Sequence, residues 1–320
     1  MHTQVEHIGR TLGLVSRREV SVLNTSQPDA YAPRLDVAWF LPLDAKKRAA
    51  LTSVGAKVPL FDGSLIIAGW EIEGSDAPTR AMQADLANIR VSGAPYGFLA
   101  LRGDTRDNLY ARARNMARAQ RHAFGTHDVL VLDTAWIEPL SRTAWSAVHQ
   151  PLPAARGLDK KASGGETEWA KDVRKTLRSR GEAAGFDVWF DFKTRVPPKA
   201  PRTVSAIDVV WTLPMPRGLA SLAADVVARA TDPHDEPHVP KRFHHLPVVA
   251  FEVENNAAKH AHGALLNLAS HALAGVFVGG DAAAVRAARA AHDTYRDTYP
   301  LARVSVSADF VRQATKLSSP

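Results

Sequence analysis

RLDVAWFLPL at residues 34–43 and AIDVVWTLPM at 206–215 read as one strand written twice. A shift of 172 positions superposes Asp36 on Asp208, Val37 on Val209, Trp39 on Trp211, Leu41 on Leu213 and Pro42 on Pro214. Without a gap the same shift sets Gly9 on Gly181 and Gly13 on Gly185. Self-similarity at a fixed separation is the mark of an internal repeat. Further along, LIIAGWEIEG at 65–74 answers LPVVAFEVEN at 246–255, with Glu71 on Glu252 and Glu73 on Glu254 at a shift of 181. The nine extra residues fall in TDPHDEPHVPKRFHH at 231–245, which reads as a loop.

Beyond the Glu-x-Glu strand both copies keep one order of elements. A polar helix (ADLANI, LLNLAS) precedes an apolar strand, YGFLAL at 96–101 and GVFVGG at 275–280. A long Ala/Arg helix follows at 106–124 and 281–299, and a last strand at 128–137 (DVLVLDTAWI) and 302–311 (ARVSVSADFV). Strands and helices in this mixed order predict an α/β fold in which each copy has a central mixed sheet flanked by helices. The Pro-, Gly- and charge-rich stretch 149–165 predicts a linker between a first domain at 1–148 and a second at 166–320.

Bulk composition narrows the function classes. Hydrophobic residues make up 45 % of the 320 positions, enough for each half to bury its own core. The net charge of +7 and pI near 9.7 lean toward a polyanionic partner. With no cysteine, disulfides, thiolate nucleophiles and Cys-ligated zinc are excluded together. MHTQVEHIGR has no secretory pattern and no apolar run approaches the ~18 residues of a membrane span, so a cytoplasmic protein without a membrane partner is expected. Walker A, Gly-x-Gly-x-x-Gly and Gly-x-Ser-x-Gly sequences are missing, which removes support for ATPase, dehydrogenase and serine-hydrolase readings.

The chemistry concentrates on acids. Asp36 and Asp208 each sit inside an apolar strand-like run, where a carboxylate is costly unless something neutralises it. Glu71 and Glu73, like Glu252 and Glu254, share a strand face because residues i and i+2 point the same way. Such an oxygen-rich group is what Mg²⁺ or Mn²⁺ takes as ligands. A solvated face or a strand-end cap is the ordinary reading of either element alone; their joint recurrence in both copies argues for a site.

These residues resemble the PD-(D/E)XK nuclease superfamily: a helix, Gly-x-x-x-Gly, an extended segment, IDVVW, then AFEVEN and a polar helix. The resemblance covers roughly 1–135 and 166–312 and implies two tandem restriction-endonuclease-like domains. It implies a divalent-metal-dependent endonuclease that hydrolyses phosphodiester bonds in double-stranded DNA, of a restriction or phage-defence kind. Asp36, Glu71, Asp208 and Glu252 would be metal ligands, and Glu73 and Glu254 ligands or water-orienting bases. A single chain would act as a pseudo-dimer, or two chains as a homodimer. The family's usual Lys, two residues after the acidic ligand, is Glu73 or Glu254 here; Lys259 is the candidate replacement. The family's first-helix Glu finds Glu168 in the second copy only, which makes that copy the favoured active one.

Other signals bear on binding. KTRVPPKAPR at 193–202 offers Lys193, Arg195, Lys199 and Arg202, and KRFHH at 241–245 offers Lys241 and Arg242, as phosphate contacts. The helix WAKDVRKTLRSR at 169–180 reads equally as an exposed face or a backbone clamp. His244, His245, His260 and His262 lack the spacing of a zinc site. Trp39 and Trp211 read as core rather than as base-stacking platforms. A non-catalytic nucleic-acid-binding protein, or an RNA-directed nuclease, are the competing readings.

Overall fold

A computed structural model of the chain describes residues 1–21, 34–73, 79–102, 108–124, 128–147, 167–194, 205–230, 244–255, 260–295 and 303–307. Along the first repeat run α1 (His2–Thr11), β1 (Val15–Ser21), β2 (Arg34–Pro42), α2 (Ala45–Ser53), β3 (Leu60–Phe61), β4 (Ser64–Glu73), α3 (Thr79–Ser92), β5 (Tyr96–Leu101), α4 (Asn108–Phe124), β6 (Asp128–Asp133) and α5 (Thr134–Ser141). The second runs α6 (Glu168–Ala183), β7 (Asp187–Thr194), β8 (Ser205–Pro214), α7 (Arg217–Ala230), β9 (His245–Glu254), α8 (Ala261–His271), β10 (Ala274–Gly279), α9 (Ala282–Tyr295) and β11 (Val304–Ser307).

The fold is α/β with two mixed sheets. One is ordered β1-β2-β4-β5-β6, with β3 on β4, and the other is β7-β8-β9-β10-β11 read from its opposite edge. In each, the first three strands of the path pair antiparallel and the last two join in parallel. Even the irregularities repeat: β2 is bulged between Trp39 and Phe40, and β8 between Trp211 and Thr212.

The repeated glycines have local reasons. Gly13 and Gly185 adopt φ of 78° and 81° just past the ends of α1 and α6, where the left-handed turn favours glycine. Gly9 and Gly181 serve packing instead. Trp39 and Trp211 are fully buried, and their indole N–H groups donate to the Val5 and Leu177 carbonyls of the first helix of each repeat. A Cβ on Gly9 or Gly181 would lie 2.6 Å from that indole nitrogen. Mid-helix Gly→Ala normally stabilises by about 1 kcal/mol. Here Gly9→Ala and Gly181→Ala are expected to destabilise by about 1–3 kcal/mol, the usual cost of overpacking, as read by urea denaturation. A neutral or stabilising result would show that the indole does not need the close approach.

Two compact units emerge, neither contiguous in sequence. Unit 1 comprises residues 1–43, 59–153 and 215–244; unit 2 comprises 44–58, 154–214 and 245–320. The segment between the Asp strand and the Glu-x-Glu strand of each repeat is therefore not in the unit that holds its own sheet, unlike the contiguous spans 1–148 and 166–320 expected from sequence. In unit 1, α7 packs on β6 and on the turn at Trp145–Ala147. Gly218 lies against that turn, where an added Cβ would come 2.3 Å from the Trp145 carbonyl oxygen. In unit 2, Leu51 and Val54 are buried, and the Ser305 hydroxyl donates to the Gly55 carbonyl at 2.9 Å. Short polar connections after β2 and β8 leave the helix direction open, so apolar burial decides where each helix goes. The linker expected at 149–165 lies outside the described residues.

One strand expectation is corrected. Residues 128–137 turn from strand to helix at Thr134, because the Asp133 side chain accepts from the Ala135 N–H and caps α5. Among the described residues no helix is long and apolar enough to cross a membrane.

Candidate active site

The register that pairs Val37 with Trp70 brings Asp36 beside Glu71, and that pairing Val209 with Phe251 brings Asp208 beside Glu252. The Asp side chain takes the place of a ladder bond as the strands part. Asp36 Oδ2 accepts the Ile72 N–H at 2.7 Å, and Asp208 Oδ2 accepts the Val253 N–H at 2.8 Å. This bond alone gives Asp a structural role, and it leaves Oδ1 for other partners. Glu73 and Glu254 close their strands on the same face, half-buried.

Burial dominates the electrostatics. Glu71 and Glu252 are only 5 % and 6 % exposed. Desolvation pushes Glu71 up to about 9, Asp85 and Asp36 push it the same way, and Asn88 opposes by donating to Oε1 at 3.2 Å. Glu252 is raised by burial and then by Asp208, with Asn267 opposing. Asp36, Asp208 and Glu254 are raised too, burial again leading. Each site thus holds carboxyls that retain protons for want of countercharge.

A stability consequence follows for Glu71. Its carboxyl loses its proton near 9 when folded and near ~4.3 when unfolded. Between those values the folded state binds the extra proton, so stability falls as pH rises through that window. In EDTA, melting temperature is expected to be lower at about pH 8.5 than at about pH 5.5, and Glu71→Gln to shrink the difference. A Glu71→Gln protein with the full wild-type pH slope would remove the basis for this assignment.

Three participants were not anticipated from sequence. Asp85, on α3, is 8 % exposed and within hydrogen-bonding reach of Glu73. Glu19 and Asp191, related by the 172 shift, fall opposite Asp36 and Asp208 between the register pairs on β1 and β7. Both have positive φ, 48° and 46°, an uncommon conformation for a non-glycine residue. Each raises the pKa of the Asp it faces. The basic partners are also related by 172: His2 Nε2 lies 3.9 Å from Asp36 Oδ1, and Arg174 Nη1 3.8 Å from Asp208 Oδ1. Arg174 also donates to Asp191 at 3.1 Å and to the Asp208 carbonyl at 3.3 Å. A scan for acids and bases related by the repeat shift would have found these pairs.

Other anticipated residues are not brought here. Glu168, at the start of α6, is 85 % exposed at its side chain and pairs with Lys171 at 2.7 Å, so the reason for favouring the second copy is not present in the structure. A first-turn Glu next to an i+3 lysine turns outward to meet it. Lys193 ends β7 opposite Ala206. Lys259, Arg195, Lys199, Arg202, Lys241 and Arg242 lie outside the described residues.

The donor set consists of carboxylate oxygens, the chemistry a hard divalent ion takes, and there are more buried carboxyls than cations to meet them. In that respect the residues fit Mg²⁺ or Mn²⁺. Among the described residues no three His, Asp or Glu side chains stand already gathered as ligands of one ion; coordination therefore needs a side-chain rearrangement. Comparison with protein-family models, curated proteins and solved structures gave no match.

Proposed function

We propose that the protein is a divalent-metal-dependent endonuclease that hydrolyses phosphodiester bonds in double-stranded DNA, built from two restriction-endonuclease-like halves and acting as a single-chain pseudo-dimer or a homodimer. One observation carries this reading. In both sheets an Asp and the first Glu of a Glu-x-Glu strand stand side by side where antiparallel pairing gives way to parallel, buried and short of countercharge. A restriction or phage-defence role is the setting in which such an activity on DNA would serve.

Asp36 with Glu71, and Asp208 with Glu252, would hold the ion, and Glu73 and Glu254 would ligate it or orient water. A divalent ion bound there supplies Lewis acidity at a scissile phosphate and makes water more acidic. The residues' own part is to place negative charge where cation and phosphate meet and to keep that place poor in water. The basic segments at 193–202 and 241–245 would hold the backbone.

A non-catalytic nucleic-acid-binding protein is the second reading, favoured by Arg174, which neutralises Asp208 from within the chain. The test is incubation of purified protein with supercoiled plasmid and, separately, structured RNA, in Mg²⁺, Mn²⁺ or EDTA. Metal-dependent plasmid cleavage that Asp36 or Asp208 substitutions remove supports the DNA endonuclease. Cutting of RNA alone moves the substrate to RNA, and binding without cutting under any metal leaves the binding protein.

A further inference from the structure

The two halves are not equivalent at their carboxylates. In unit 1, Glu71 and Asp85 are nearly excluded from solvent, with Asp36, Glu73 and Glu19 around them. Asp85 Oδ2 is buried and has no hydrogen-bond partner. Native proteins rarely leave a buried carboxyl oxygen without a donor, and an unmet ligand is one of the reasons they do. The same carboxyl faces Glu73 and Asp36, so the oxygen belongs to this cluster and not to a separate surface feature. His2 is the basic group within ion-pair range of Asp36.

Unit 2 is made differently at two matched places. Asn88 and Asn267, both on the helix after the Glu-x-Glu strand and both bonded to its first Glu, set a local shift of 179. That shift puts Ala264, which is buried, where unit 1 has Asp85. The 172 shift puts Arg174 where unit 1 has His2, and its guanidinium lies on both Asp191 and Asp208. Unit 2 has lost an acid and gained a permanent cation.

We propose that unit 1 binds one divalent cation through Asp36, Glu71 and Glu73 with Asp85 as an added carboxylate ligand, and that unit 2 is a self-neutralised copy in which Arg174 stands in for the ion. The inference rests on the carboxylate-metal reading above and narrows it to one half of the chain. Glu73, half-buried at the end of β4, is the side chain with room to swing toward Asp85 and complete the coordination. Hard divalent ions gain affinity with each added carboxylate, so the loss of Asp85 has a measurable consequence.

The experiment is titration of the full chain with Mn²⁺ alone, followed by the electron paramagnetic resonance signal of the free ion. One tight site per chain is expected, weakened about tenfold or more by Asp85→Asn and insensitive to Asp208→Asn. Asp85→Ala, with melting curves on both variants, controls for misfolding. Ala264→Asp combined with Arg174→His is expected to create a second site. Two equal sites, no site, or wild-type affinity in Asp85→Asn would overturn the proposal; the last means that Asp85 holds a proton with Glu73 and nothing more. Asp85-dependent Mn²⁺ binding in a protein that cuts no nucleic acid upholds this inference and removes the nuclease. Cleavage that persists with Mn²⁺ affinity unchanged in Asp85→Asn does the reverse.

Discussion

A fragment ending at residue 148 is expected not to fold cooperatively, although it contains every strand of the first sheet. Unit 1 takes α7 from beyond that point, and α7 buries Leu219, Leu222 and Val226 completely. At about 1.5–3 kcal/mol for each such side chain, their loss approaches the ~5–15 kcal/mol that holds a domain together. The fragment should show a broad urea transition and bind a hydrophobic dye, and a peptide of residues 215–244 should sharpen the transition when added. In the intact chain, Gly218→Val should be severely destabilising, because its Cβ meets a backbone carbonyl that cannot rotate away. A fragment 1–148 with a steep, reversible two-state transition would mean that α7 is dispensable to the first sheet.

The second large effect concerns cleavage. Asp36→Asn keeps an oxygen for the Ile72 N–H and removes the charge, so it separates chemistry from the structural bond. If the ion sits in unit 1, losing this ligand should slow plasmid cutting by roughly a thousandfold, equivalent to ~4 kcal/mol of transition-state stabilisation. Asp208→Asn, made beside Arg174, should cost less than about tenfold by the same conversion. Single-turnover rates at saturating Mg²⁺ measure both. Equal losses would make the halves catalytic partners and contradict their inequality. A wild-type protein that cuts nothing removes the enzyme altogether.

Much of the site was legible because a duplication preserves what both copies need. Asp36 with Asp208, and Glu71 with Glu252, stood out by recurring at fixed shifts, and period two on a strand put Glu73 and Glu254 on the same face. The buried Trp and its glycine were legible for the same reason. Glu19, Asp191, Asp85, Arg174 and His2 were not. Each comes from a different element, and no local period says which exposed-looking acid or base on a neighbouring strand or helix will point inward. For Glu19 and Asp191 the deciding feature is a left-handed backbone that carries no sequence signature in a non-glycine residue. Glu168 failed in the opposite sense: its position in the first turn matched a family pattern, but Lys171 one turn on offered it a partner at the surface.

By itself the amino-acid sequence determined the repeat, the α/β class, the order of elements and the core strand of each half, because these follow from local periodicity and from residues close along the chain. Tertiary structure alone decided two things. It sent the helices after β2 and β8 to units that do not hold their own sheets, since apolar burial is indifferent to chain order. It also set how much countercharge each buried carboxylate meets: Arg174 on Asp208, only His2 near Asp36, and an unpartnered oxygen on Asp85. Charge balance at a buried site is a sum over neighbours distant in sequence, and only folding brings those neighbours together.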